Sequence, residues 1–187
     1  MQHKKLKEIA DVFTGARLGR FSKKTSNALQ EQTVIKKIYS NNNIEYETKE
    51  ISIELDNKFY TRQGDILIQL AGENTIVKID QEGLIVSMFY CVIRAKQGYD
   101  SNYIYHVLKN EILPKYQNIL NEGSALQTIK TIYLKELKIP VIDQEKQIKL
   151  GELLDLINIK KDLHEKLSEI DEKMIKAILN NYMKEDD

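Results

Sequence analysis

One cysteine, two prolines and no tryptophan occur among the 187 residues. Cys91 has no internal disulfide partner and lies in an apolar run, so we expect a packed thiol in a reducing, cytoplasmic setting. The three histidines, His3, His106 and His164, are scattered, and a single cysteine leaves no zinc-ligand spacing. We expect no metal and no cofactor. The longest unbroken aliphatic stretches, such as Ile66-Leu67-Ile68, fall far short of the ~18 residues a membrane span needs, and the Lys-rich start has no apolar signal core. No membrane anchor is expected. With eight glycines, 42% apolar and 30% charged residues, the composition is neither fibrous nor disordered. The length suits one mid-sized domain, or a smaller one with an appended element.

Net charge is also lacking, but the balance is uneven. Residues 1–140 carry 20 Lys and Arg against 16 Asp and Glu, residues 141–187 carry 8 against 12, and the first 37 hold 9 against 3. A basic start on a neutral chain is either a solvated face or a phosphate-binding one, and charge alone does not choose between them.

Motifs for catalysis are missing too. There is no glycine-rich cofactor loop after a strand, no Asn/Asp-Pro-Pro-aromatic loop for a target amine and no Gly-Lys-Ser/Thr phosphate cradle. A Mg²⁺ nuclease needs converging carboxylates and a Lys. Asp65 and Glu73 are candidates, yet Thr75 stands where that Lys would be. We expect a non-enzyme.

The residues that are present divide the chain into distinct textures. Leu6, Ile9, Ala10 and Phe13 at helical spacing predict a short helix over 4–13, stopped by Gly15. A loop with two glycines and four cations follows over 15–27. Short β-type runs at 34–39, 44–55, 65–70, 75–79 and 84–94 predict one compact, curved sheet, with a bulge or turn between Thr48 and Ile51 where the period of two slips. The 84–93 run, apolar on both phases except at Ser87, reads as a central strand. A helix capped by Ser101 or Asn102 and ended by Pro114, a polar loop over 121–128, a short helix at 133–137 and an extended segment at 139–141 complete a first domain over 1–142.

Asp143 caps a helix that runs to about Tyr182 with only Gly151 as a weak point, roughly 55–60 Å of rod at 1.5 Å per residue. With Leu153 at heptad position a, the a positions are Leu153, Lys160, Leu167, Met174 and Asn181, and the d positions are Leu156, Leu163, Ile170 and Ala177. A stripe this long predicts a two-stranded helix interface over 143–187, with Lys160 and Asn181 fixing register; the alternative is an amphipathic helix folded back onto its own domain. The fold class expected is therefore α+β: a mixed curved β-sheet domain with flanking short helices, then one long coiled-coil-type helix.

Read together, several segments resemble the specificity subunit of type I restriction-modification systems. They are Lys5-Leu6-Lys7-Glu8-Ile9-Ala10-Asp11-Val12-Phe13-Thr14-Gly15, Gly64-Asp65-Ile66-Leu67-Ile68, Gly123-Ser124 through Leu134-Lys135-Glu136-Leu137-Lys138-Ile139-Pro140, and Gln144-Glu145-Lys146-Gln147-Ile148. The resemblance implies a target recognition domain and a spacer helix that read double-stranded DNA and recruit methyltransferase, and possibly restriction, subunits without chemistry of their own. Family members usually hold two such domains and two helices; this sequence has one of each. A homodimer reading a bipartite palindromic site is the expected arrangement.

On that reading Arg17, Arg20, Lys23 and Lys24 are the first DNA contacts, because cations on a glycine-containing loop reach phosphates and Arg also pairs bidentate with guanine. Glu73, Asn74, Ser124, Gln127 and Thr128 are candidates for base edges. Lys36, Lys37 and Lys130 read as backbone contacts or plain surface charge. The dimerisation residues are Leu153, Leu156, Lys160, Leu163, Leu167, Ile170, Met174 and Ala177. The alternative is a scaffold or decoy that uses the helix and never touches DNA.

Overall fold

In the computed structural model, which describes residues 2–21, 29–39, 43–52, 55–115 and 128–184, the chain does not open with the ten-residue helix that its apolar spacing predicts. Strand β1 (Gln2–Lys5) leads into a single helical turn, α1 (Leu6–Ile9), and then strand β2 (Ala10–Thr14). Leu6 and Ile9 satisfy the turn, whereas Ala10 and Val12 face inward with Asp11 outward, a period of two. The tertiary ladder decides: β2 pairs antiparallel with a later strand along its whole length.

A short 3₁₀ turn at Leu18–Arg20 precedes a hairpin of β3 (Leu29–Ile38) and β4 (Ile44–Ser52). The irregularity expected in β4 lies instead on its partner, where the register shifts between Ile35 and Lys37. Lys36 is the extra residue. The bulge lets Ile35 and Ile38 both reach the core and turns Lys36 and Lys37 outward together.

Strands β5 (Ile66–Gln69), β6 (Ile76–Lys78) and β7 (Tyr90–Ala95) join β2 in an antiparallel sheet of order β2-β7-β5-β6. The strands thus divide among more than one sheet. β7 is central and buried on both phases, with Cys91 and Ile93 toward one core and Tyr90 and Val92 toward the other. Residues 84–89 are not part of it. They cross to the hairpin, where Ile85 bridges Val34 and Tyr60, and Ser87 bridges Ala16 in parallel.

One core lies between the sheet and the helices. Leu6, Ile9, Ile66, Ile68, Ile93 and Ile104 meet there. The second gathers Leu67, Val77, Val86 and Val92 with Ile35 and Ile38 of the hairpin. Burial pushes the Cys91 thiol up to about 12, so it is a packing group.

Helix α2 (Ser101–Val107) is capped by Asp100, one residue earlier than expected, whose Oδ1 accepts from the Tyr103 N–H at 2.8 Å. Pro114 does not end the helical path. A π-turn at Leu108–Ile112 precedes it, and helical backbone continues through 113–115. Helix α3 (Thr131–Glu136) and strand β8 (Lys138–Val141) follow, β8 pairing antiparallel with β1.

Helix α4 (Gln144–Lys184) has 41 residues. Asp143 Oδ1 accepts from the Lys146 N–H at 3.1 Å, which caps it. The buried Gln147 donates to the Ile142 carbonyl at 2.7 Å and accepts from the Asp100 N–H at 3.1 Å. A Cβ on Gly151 would lie 2.7 Å from Asp100 Oδ1 and 2.8 Å from the Asn102 Cβ, so this glycine is a close-packing position and not merely a weak point. The chain divides into compact units of residues 1–151 and 152–187, the first two turns of α4 belonging to the first.

Candidate nucleic-acid interface

Gly15 sets the geometry of the basic loop. Its N–H donates to the Tyr90 carbonyl at 3.0 Å, and a Cβ there would stand 2.3 Å from the Ser87 carbonyl oxygen, a distance no side chain tolerates. Only glycine lets the two backbones touch. Ala16 then donates to Val86 O at 2.8 Å, and its own carbonyl accepts from Met88 N at 2.8 Å. Beyond this seam the chain turns outward, with Arg17 and Arg20 exposed on either side of Gly19. Neither guanidinium is ion-paired among the described residues.

Arg17 lines a cleft of about 340 Å³ with Lys36, Glu47 and Lys49 of the hairpin and with Met88 and Phe89. A second cleft of about 280 Å³ is lined by Lys36, Lys37, Gln69, Ala71, Phe89 and Tyr90. Lys36 and Phe89 border both. Four cations therefore face these clefts against one lining carboxylate. Lys36 is ion-paired with Glu45, which raises the Lys36 pKa and lowers that of Glu45 through their hydrogen bond. Lys49 pairs with Glu47, and the Lys37 ammonium sits 4.7 Å above the Tyr39 ring. All are surface pairs, which an incoming polyanion can exchange at little cost.

Lys23, Lys24, Ser124 and Gln127 lie outside the described residues. Thr128 is exposed and bridges Ala71 at the rim of the second cleft. Glu73 is exposed on the turn between β5 and β6. Asn74, in that same turn, is buried in a left-handed conformation, φ 51°, with neither amide oxygen nor nitrogen hydrogen-bonded.

The hairpin residues Glu47 and Lys49, the cleft amide of Gln69, and Met88 with Phe89 are absent from the sequence-based candidates. The available signal was Ser87, the polar break in the 84–93 run: it marks a turn ahead of β7 and not a wet position within a strand. Asp65, weighed above as a metal carboxylate, is buried and committed. It accepts from Arg94 Nε at 2.8 Å and Nη2 at 2.7 Å and from the Arg62 N–H at 2.9 Å. Those bonds occupy both its oxygens.

On α4, Leu153, Leu156, Leu163, Leu167, Ile170 and Met174 are all exposed, as are Lys160, Ala177 and Asn181. Ile175, Leu179, Tyr182 and Met183 add apolar surface on a different side, which the heptad pattern omits. No helix among the described residues is long and apolar enough to cross a membrane.

Residues 1–171 match the model of the type I restriction modification DNA specificity domain. The chain belongs to this family. A relative of this specificity-domain family, the type I restriction enzyme MjaIX specificity subunit of Methanocaldococcus jannaschii, is 30% identical over 112 residues, covering 58% of this chain and 26% of the relative. Three solved structures share the fold. The HsdS subunit from Thermoanaerobacter tengcongensis is 18% identical with a TM-score of 0.61, over 89% of this chain and 44% of that one. The type I restriction-modification S subunit from M. genitalium is 17% identical with a TM-score of 0.56, over 92% and 42%. A chain from a study of complex assembly and conformational transition in a type I R-M system is 17% identical with a TM-score of 0.63, over 88% and 44%. This chain thus spans about a quarter of the curated relative and under half of each solved one. Specificity subunits of type I systems carry no catalytic chemistry, and the α+β fold with a long C-terminal helix is theirs.

Proposed function

We propose that residues 1–142 form a target recognition domain that reads double-stranded DNA, and that residues 143–187 pair with a second copy and recruit methyltransferase subunits, with restriction subunits joining where present. The observation that carries the DNA reading is the pair of clefts flanking Phe89, whose lining places four cations against a single carboxylate. Arg17 and the hairpin lysines neutralise phosphates, while Glu47 and Gln69 are placed to accept from cytosine and to pair with adenine. Arg20 joins Arg17 on the basic loop and Thr128 meets the second cleft through its bridge to Ala71; Lys23, Lys24, Ser124 and Gln127 are proposed as contacts on the sequence alone.

The pairing rests on the exposed stripe of α4. A helix of about 60 Å with apolar a and d positions gains stability by burying them against a like helix. Two copies related by a two-fold axis would read inverted half-sites more than one helical turn apart.

The test is selection from a random-sequence duplex pool at low salt, by the full chain alone and with a type I methyltransferase subunit. An enriched inverted repeat supports the reading, and enrichment of nothing refutes recognition and leaves the scaffold or decoy alternative. In a titration on the selected duplex, Arg17→Ala should flatten the slope of log K against log salt by about 0.9.

A further inference from the structure

Met88 and Phe89 form the tip of a turn that the main chain holds from three directions. Met88 N–H donates to Ala16 O at 2.8 Å, Tyr90 N–H to Ser87 O at 3.1 Å, and Phe89 O accepts from Leu70 N–H at 2.9 Å. The backbone is fixed, yet Phe89 is 65% exposed, more than Tyr39, Tyr46 or Tyr133. On a loose loop such a ring would sample many positions. Here the main chain that carries it is set before anything binds.

Phe89 borders both clefts, with Arg17, Lys36 and Lys49 around one and Lys36 and Lys37 around the other, and so stands between two basic hollows. We infer that Phe89 is a wedge that enters the base stack of the bound duplex at one step, its ring stacking on base while the surrounding cations hold the flanking phosphates. This rests on the DNA-recognition reading above. Contact with a thymine methyl in the groove would need only one of the two hollows. A protein-binding hot spot would sit among residues poor in lysine, whereas three lysines line these clefts. Apolar side chains inserted at a base step partly unstack it and kink the duplex, and a ring on a fixed main chain has only its own side-chain freedom to lose in doing so.

The experiment uses the full chain and the duplex it selects, with 2-aminopurine placed at successive positions. Wild type should brighten the probe at one step. Phe89→Ala should abolish that signal and weaken binding about five- to 150-fold, the span expected for a lost base–aromatic stack, while Phe89→Trp keeps both. A mismatch at the responsive step should tighten wild type and leave Phe89→Ala unchanged, because the cost of unstacking is then already met. Equal affinity of wild type and Phe89→Ala overturns the wedge and leaves recognition standing; so does weakened binding in a duplex where no position brightens with wild type, which marks a groove-edge contact. A pool without enrichment removes both. Because Phe89 is exposed, Phe89→Ala should melt with wild type.

Discussion

Leu163 and Ile170 stand at successive d positions of α4 and are 60% and 58% exposed. Replacing both by Glu tests the pairing directly. Burying a whole Leu or Ile side chain contributes ~1.5–3 kcal/mol, so covering the exposed three-fifths contributes roughly 1–2 kcal/mol per side chain. A two-fold dimer counts each substitution twice, which makes the lost burial about 4–8 kcal/mol, before adding the penalty of bringing carboxylates to an apolar seam. That corresponds to a dissociation constant weakened by about a thousandfold or more. Sedimentation velocity and light scattering across a micromolar concentration series should therefore show monomers for the double variant and dimers for wild type. Circular dichroism establishes that the variant is still folded, and Glu165→Lys at the outward f position serves as the control that leaves association unchanged. A double variant that dimerises as tightly as wild type would refute the assigned seam, and with it the reasoning from the d positions.

Arg94→Met strands the buried Asp65 carboxylate and should destabilise the first unit by about 3–5 kcal/mol in urea unfolding, with Asp65→Asn in the same chain recovering much of it; an Arg94→Met protein of wild-type stability would contradict the buried pair. Gln147→Ala removes two hydrogen bonds at a position 2% exposed. It should cost about 1–3 kcal/mol because the Asp100 N–H loses its partner, measured by the same unfolding curve. Glu136, bridged to Lys5 and Lys7, has its carboxyl pulled down to about 2 by those ammonium groups. A lowered folded-state value means its stabilisation is whole above the unfolded carboxylate range and fades as pH falls toward 2; carboxyl NMR titration should find the low midpoint, and added salt should raise it.

The sequence segments that suggested the family acquire physical roles in the fold. Gly15 closes the first of them because its backbone abuts the Ser87 carbonyl, and Gln147 sits in the last because it ties α4 to the start of α2. Local chemistry of this kind is legible from one sequence: a glycine after an apolar run, an Asp ahead of a helix. The helix assigned to 4–13 failed because Leu6, Ile9, Ala10 and Phe13 fit a 3.6-residue period as well as a turn followed by a strand, and only the ladder to β7 separates the two. Asp65 could not be paired with Arg94 from spacing, since 29 residues separate them. Phe89 stayed hidden for a related reason. Within an apolar run it looked like one more core residue, and its exposure follows from where β7 begins. Lys36 and Lys37 could be read as backbone contacts or as plain surface charge, and spacing did not choose, because the bulge that turns them out together depends on the partner strand.

The seam at Gly15 and Ala16 has a use beyond holding the basic loop. Ala16 is bridged to Ser87, so residues 17–21 leave the seam at a joint made entirely of main chain. A main-chain joint is indifferent to the exposed side chains beyond it, whereas Leu18 and Phe21 pack back onto the core of Ala16, Val34 and Ile85. An engineer can therefore vary the exposed Arg17, Gly19 and Arg20 as a cassette, keeping Leu18 and Phe21, while the sheets beneath go on folding as before.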